Sequence, residues 1–138
     1  MRTGRPLPRR TRFVLAAAAL LLAAGFVVAR AVRPSDDGVG THRQLGLPAC
    51  GYLVWTGHPC PACGLTTSLS HLVRGEWAAS VRTQPVGPVI GLVSAVAIGV
   101  CGYAAACGRW PLRWGPLATA VLAVWSINGL LLVRWMML

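Results

Sequence analysis

"FVLAAAALLLAAGFVVA", Phe13 to Ala29, is 17 residues without a charge. A helix at the surface of a soluble protein keeps one polar face for water. This run leaves no such face. Arg30 and Arg33 follow it, and their stems can lie along apolar surface while the guanidinium groups reach water. A helix over 13–33 is therefore long enough to cross the hydrocarbon of a bilayer. The segment before it, "MRTGRPLPRRTR", carries five Arg and two Pro and reads as a disordered basic tail over 1–12. A basic start, an apolar core and Ala29-Arg30-Ala31 also fit a cleaved signal peptide. The core is long for one and Arg is unusual in the cleavage triplet, so we read a retained first span.

The same block design recurs. "VGPVIGLVSAVAIGVCGYAAAC", Val86 to Cys107, is a second span of 22 residues, with Pro85 and Pro88 tolerable at its first turn. Gly87, Gly91, Ala95 and Gly99 recur every fourth residue and form a small-residue ridge for close helix packing, within the chain or with a helix partner. Arg109 and Arg113, with Trp110 and Trp114 as interfacial anchors, mark a turn. "PLATAVLAVWSINGLLLV", Pro116 to Val133, is the third span, closed by Arg134 and Trp135. Its Ser126 and Asn128 suit interhelical hydrogen bonds. The expectation is an all-α polytopic membrane protein: first transmembrane helix over 13–33, second and third over 85–138, and a cysteine-bearing section over 34–84.

The 138-residue chain is 55% hydrophobic and 12% charged, with a net charge of +10. Every cation is Arg, and the acids are Asp36, Asp37 and Glu76. The arginines flank apolar runs, where they meet anionic headgroups and set topology, so nucleic acid is not an expected partner. With the N-terminus inside, the cytoplasmic side holds Arg2, Arg5, Arg9, Arg10, Arg12, Arg109 and Arg113. The other side holds Arg30, Arg33, Arg43, Arg74, Arg82 and Arg134. The balance is nearly even. The first helix usually dominates, which places the N-terminus in the cytoplasm and residues 34–84 outside, where disulfides are permitted.

Within 34–84, "LTTSLSHLVRGEWAASVRTQ" has helical period. Leu65, Leu69, Leu72 and Val73 share one face, and Thr66, Thr67, Ser70, His71 and Arg74 the other. Gly75 ends or kinks that piece, and Glu76 starts a second with Trp77 and Val81 inward. Neither piece can span a bilayer; both should lie at its interface or cap the bundle. Before them comes "HPCPACGLTT", His58 to Thr67, with Cys50 ten residues upstream of Cys60. Three uses of these sulfurs stand. A disulfide from Cys50 to Cys60 or Cys63 would staple the loop to the helix. Zinc could take Cys50, Cys60 and Cys63 with His58 or His71 as fourth ligand. Cys60 and Cys63 could form a redox couple at a helix start. Asp36, Asp37 and His42 read as solvated loop residues. Cys101 and Cys107 read as small hydrophobes.

The stretch from Leu47 to Gly87 resembles small bacterial membrane proteins of domain-of-unknown-function family 2752. The matching elements are Cys50, Thr56-Gly57, Cys60-Pro61-Ala62-Cys63-Gly64-Leu65-Thr66, Gly75-Glu76 and Pro85, in that order. Thr67 stands where the family often has Arg, and Gln84 where it often has Asn. The resemblance implies a multi-pass protein of the bacterial plasma membrane and no established activity. The leading expectation is a non-enzymatic membrane protein whose cysteines organise a cap bearing the Cys-Pro-x-Cys-Gly motif. A thiol–disulfide oxidoreductase and a zinc-binding membrane module are the alternatives.

Overall fold

The computed structural model describes residues 5–112 and 115–136. Arg2, Arg113, Trp114 and the side chain of Trp135, all assigned topological roles above, lie outside the described residues. The elements run α1 (Arg9–Ala31), a 3₁₀ turn (Thr41–Leu45), α2 (Gly51–Thr56), α3 (Leu65–Leu72), α4 (Trp77–Thr83), α5 (Val86–Cys107) and α6 (Pro116–Met136). Two-residue strands β1 (Arg5–Pro6) and β2 (Arg109–Trp110) pair antiparallel.

Helix α1 is built from Ala, Leu and Val, starts after Pro8 and stops at Val32, two residues before Pro34. The residue ahead of a proline is pushed out of helical conformation. Its start at Arg9 and the pairing of Arg5–Pro6 show that residues 5–12 are folded, where a disordered tail was expected. Helix α5 begins on Pro85 and ends at Gly108, whose left-handed φ of 67° returns its N–H to the Ala104 carbonyl. Glycine favours that conformation, and the turn closes the helix. Among the described residues searched, α1 and α5 are the two helices long and apolar enough to cross a membrane. Their apolar residues mostly face outward: Phe13, Leu20, Leu21, Leu92 and Val96 are all exposed. Helix α6 carries a 17-residue apolar stretch, Ala118–Arg134.

The main packing is α1 against α5, and α6 rests lightly on α5. Leu15, Ala104 and Trp110 form a small buried cluster at the end of this pair where the chain begins. At that end Arg12 donates from Nε to the Ala105 carbonyl at 2.8 Å and from a terminal nitrogen to Ala106 at 3.0 Å. At the other end Arg74 donates to the carbonyls of Arg30 at 2.9 Å and Val32 at 2.6 Å. Ser70 Oγ adds a bond to the Ala29 carbonyl at 2.6 Å. The last carbonyls of a helix have no partner inside it, and here α1 and α5 each have their C-terminus closed by an arginine from elsewhere in the chain. These two arginines thus bind protein carbonyls, where flanking charges for headgroups were expected. The basic start of the chain and the cysteine section sit at opposite ends of the α1–α5 pair.

Polar residues, not apolar ones, form the interior of the cap. Thr67, Ser68, Ser70, Ser80 and Gln84 are fully buried. Ser68 Oγ meets Ser80 Oγ at 2.9 Å and donates to the Ser80 carbonyl at 2.8 Å, while Ser80 Oγ donates back to the Ser68 carbonyl at 2.8 Å. Trp77 and Val81, expected inward, are 53% and 48% exposed. The α4 face that turns inward is the one that can bond to Ser68. The apolar face of α3 meets the small-residue ridge instead. A Cβ on Gly87 would fall 2.7 Å from Ser68 Cβ, and one on Gly91 would collide with the tip of Leu72. Gly87 and Gly91 are therefore occupied within the chain, while nothing lies within 4 Å of a Cβ at Gly99. Ser126 and Asn128 bond carbonyls of their own helix, Leu122 and Val124, each at 2.8 Å.

Two substitutions test this packing by thermal unfolding in detergent. Gly87→Ala should destabilise by about 1–3 kcal/mol, more than Gly91→Ala, because Ser68 is pinned by hydrogen bonds while the Leu72 tip can rotate. Arg74→Met should cost about 2–4 kcal/mol, since it strips the end of α1 of charged donors.

Candidate functional site: the three-cysteine cap

The sequence between the 3₁₀ turn and α3 is a succession of tight turns that fold back on one another. Cys50 is the N-cap of α2, and Gly57, at φ 71°, ends that helix by bonding the Leu53 carbonyl. The short helix is tied off by Thr56 Oγ1, which donates to the Tyr52 carbonyl at 2.7 Å. Gly57, His58 and Pro59 then return the chain to Cys60. Cys60-Pro61-Ala62-Cys63 is a turn closed by Cys63 N–H to the Cys60 carbonyl at 2.9 Å, and Leu65 N–H to Ala62 at 3.1 Å continues it into α3. Gly64 holds a φ of 84°, and a Cβ there would stand 2.9 Å from the Gly38 carbonyl. Only glycine lets the 34–40 loop approach so closely.

Two further contacts hold the turn in place. Gln84, fully buried at the junction of α4 and α5, donates from Nε2 to the Pro61 carbonyl at 2.8 Å. Thr67 Oγ1 meets Thr41 Oγ1 at 2.7 Å, and Thr41 Oγ1 accepts from Ser35 N–H at 3.0 Å. The 3₁₀ turn is thereby fastened to α3.

These constraints bring the Sγ atoms of Cys50, Cys60 and Cys63 within 4.8 Å of one another, each residue half-buried. All five cysteines are unbridged. Two of the three sulfurs have altered acidity. The backbone N–H of Leu53, then the thiols of Cys63 and Cys60, hold the Cys50 thiol below its ordinary value. Burial, then the neighbouring Cys60 thiol, pushes Cys63 up to about 12. A thiolate is favoured at Cys50 and opposed at Cys63.

Neither histidine expected as a fourth ligand joins the group. His71 Nδ1 is 2.5 Å from Glu76 Oε2, so Glu76, read as a helix-start charge, is a hydrogen-bond partner of that ring. His58 is exposed, with its N–H on Thr56 Oγ1 at 3.2 Å. Among the described residues no histidine or carboxylate shares the cluster of the three sulfurs. The structure instead places Asp37, His42 and Arg43 on the wall of a cavity of about 340 Å³ that Cys50, Cys60 and Cys63 also line. Asp37 and His42 read as solvated loop residues in the sequence. The signal available for them was the glycine pattern around Val39, which permits a tight loop but does not say what it folds against.

Residues 48–98 match the model of a family described as a protein of unknown function, DUF2752. That stretch is similar to the DUF2752 family. The family segment begins just before Cys50 and ends inside α5. It takes in all three sulfurs, α2 to α4, and the Gly87 and Gly91 contacts, and it leaves α1 and α6 outside. No curated protein and no solved structure matches the chain.

The two altered thiols order the reactivity of the cluster. In metal-free protein, iodoacetamide should modify Cys50 before Cys63 at neutral pH, because the thiolate is the nucleophile. Cys63 should gain reactivity only as pH approaches about 12. Peptide mapping of the alkylated cysteines over a pH series reads this order.

Proposed function

We propose that this is a multi-pass membrane protein of three spans whose extramembrane cap binds a thiophilic divalent metal ion of the zinc class on Cys50, Cys60 and Cys63. The observation that carries the reading is the convergence of three unbridged sulfurs within 4.8 Å. Zinc–sulfur bonds of about 2.3 Å place tetrahedral thiolates about 3.8 Å apart, a small contraction from this arrangement. A disulfide would use two of the sulfurs and leave the third without a role. The three spans are α1, α5 and α6. Support for a membrane setting is the outward-facing apolar surface of these helices, which water would not tolerate over such an extent. The N-terminus is cytoplasmic, following the basic flank of α1, and the cap faces the opposite side of a bacterial plasma membrane. The reading is a binding module, with no catalytic step assigned.

Thiol–disulfide exchange at Cys60 and Cys63 is the second reading. What favours it is the turn itself, closed by Cys63 N–H on the Cys60 carbonyl at 2.9 Å, which holds the two sulfurs within 4.8 Å of each other at the start of α3.

Protein purified in detergent without chelators should carry one equivalent of zinc by elemental analysis, and Cys50→Ser, Cys60→Ser and Cys63→Ser should each lose most of it. Metal uptake should release protons, and affinity should fall as pH falls, since Cys63 must be deprotonated to ligate. Absence of bound metal, with two thiols appearing only after reduction, would sink the metal reading in favour of the second. Labelling the cysteines of intact cells with a membrane-impermeant maleimide reports the side the cap faces.

A further inference from the structure

We propose that the fourth position on the metal is filled from outside the chain, by a small zwitterion bearing a soft donor, an amino acid with a side-chain thiol. The inference rests on the metal reading above. A tetrahedral ion needs four donors, and sites with three protein ligands keep an open position for an exogenous group. The described residues supply three sulfurs and no fourth donor in the cluster.

The cavity beside the sulfurs has the size and charge for such a ligand. Its volume of about 340 Å³ lies at the small end of ligand pockets. That is room for about ten waters, enough for an amino acid. Asp37 and Arg43 lie on its walls with the three cysteines. Among the described residues neither side chain is in a salt bridge, so these two opposite charges are not joined to each other. Separate cationic and anionic side chains around one cavity suit a ligand that carries both a carboxylate and an ammonium group. His42, on the same wall, has Nε2 at 3.1 Å from the Pro48 carbonyl, which holds its ring in the loop. Thr66 and Thr67 complete the polar lining. Both charges come from the 34–43 loop, which Thr41 fastens to α3 and Gly64 admits close to the turn.

Cobalt(II) in place of zinc makes the site visible under anaerobic conditions, because thiolate-to-cobalt charge transfer scales with the number of bound sulfurs. The full-length protein in detergent, titrated with cobalt, should show the absorption of three thiolates. L-Cysteine should then raise it toward four. Arg43→Gln and Asp37→Asn should leave cobalt affinity unchanged and weaken L-cysteine binding about tenfold each, the loss of one charged contact. Cysteamine, without the carboxylate, should bind wild type weakly and be insensitive to Arg43→Gln. N-Acetylcysteine, without the ammonium group, should be insensitive to Asp37→Asn. If cobalt binds and L-cysteine leaves the spectrum unchanged, strips the metal, or binds both variants as it binds wild type, this inference is overturned while the metal reading stands. The same holds if His42→Ala alone changes the spectrum of the ligand-free cobalt protein, since the fourth ligand would then be the chain's own. If no thiolate–cobalt absorption develops, both readings fall.

Discussion

The closing of helix C-termini by arginine is the contact on which the rest of the structure depends. A helix end in or near hydrocarbon cannot leave its last carbonyls to water, and each unsatisfied group there costs several kcal/mol. Helix α1 meets this demand with Ser70 from α3 and Arg74 from the turn that follows it, at 2.6–3.2 Å. Helix α5 meets it with Arg12 at the far end. A guanidinium suits the task because it offers several donors in one plane and stays charged at any working pH. The consequence for the cap is geometric. Once α3 is fixed over the end of α1, the turn that precedes α3 has little freedom left.

From that anchor the cap is assembled by hydrogen bonds more than by apolar burial. Ser68 and Ser80 join α3 to α4, and Ser68 Oγ also donates to the Gln84 carbonyl at 3.0 Å. The Gln84 side chain then reaches the Pro61 carbonyl between the two cysteines of the turn. Its Oε1 is buried with no partner among the described residues, a cost tolerated at a position that ties α5 to the cysteine turn. Leu65, Leu69 and Leu72 are left free to pack over Gly87 and Gly91, whose missing side chains make room. The sulfur cluster is thus joined to the membrane-length helix α5 through one glutamine and two serines.

The cluster itself combines two local environments. Cys50 stands at the start of a one-turn helix, where the Leu53 N–H favours negative charge. Cys63 is turned toward the body of the cap, where burial opposes it. Three sulfurs that differ in acidity thus converge in one place. A bound ion would equalise them by taking the proton's place on each.

What the sequence alone determined is whatever depends on a residue and its near neighbours. The unbroken apolar runs from Phe13 and Val86 have the length and composition of spans. Gly75 and Gly108 end helices, and the Cys-Pro-x-Cys-Gly turn precedes α3, because such features rest on local backbone preference. Tertiary structure alone decided which face of α3 and α4 turns inward. The period of α3 separates Leu from Thr and Ser correctly, but hydropathy cannot say that the polar face is needed to satisfy the end of α1. It decided, too, that Arg12 and Arg74 bind carbonyls, since a flanking arginine looks the same whether it meets a lipid or a helix end. His58 and His71 were near the cysteines in sequence and stand apart from them in space. His42 and Arg43 are no farther from Cys50 in sequence than His71 is from Cys63, yet they and Asp37 share the cavity of the sulfurs. Sequence separation does not measure distance across a loop closed by the Thr41–Thr67 bond and the approach of Gly38 to Gly64, because those two contacts exist only once the elements have packed.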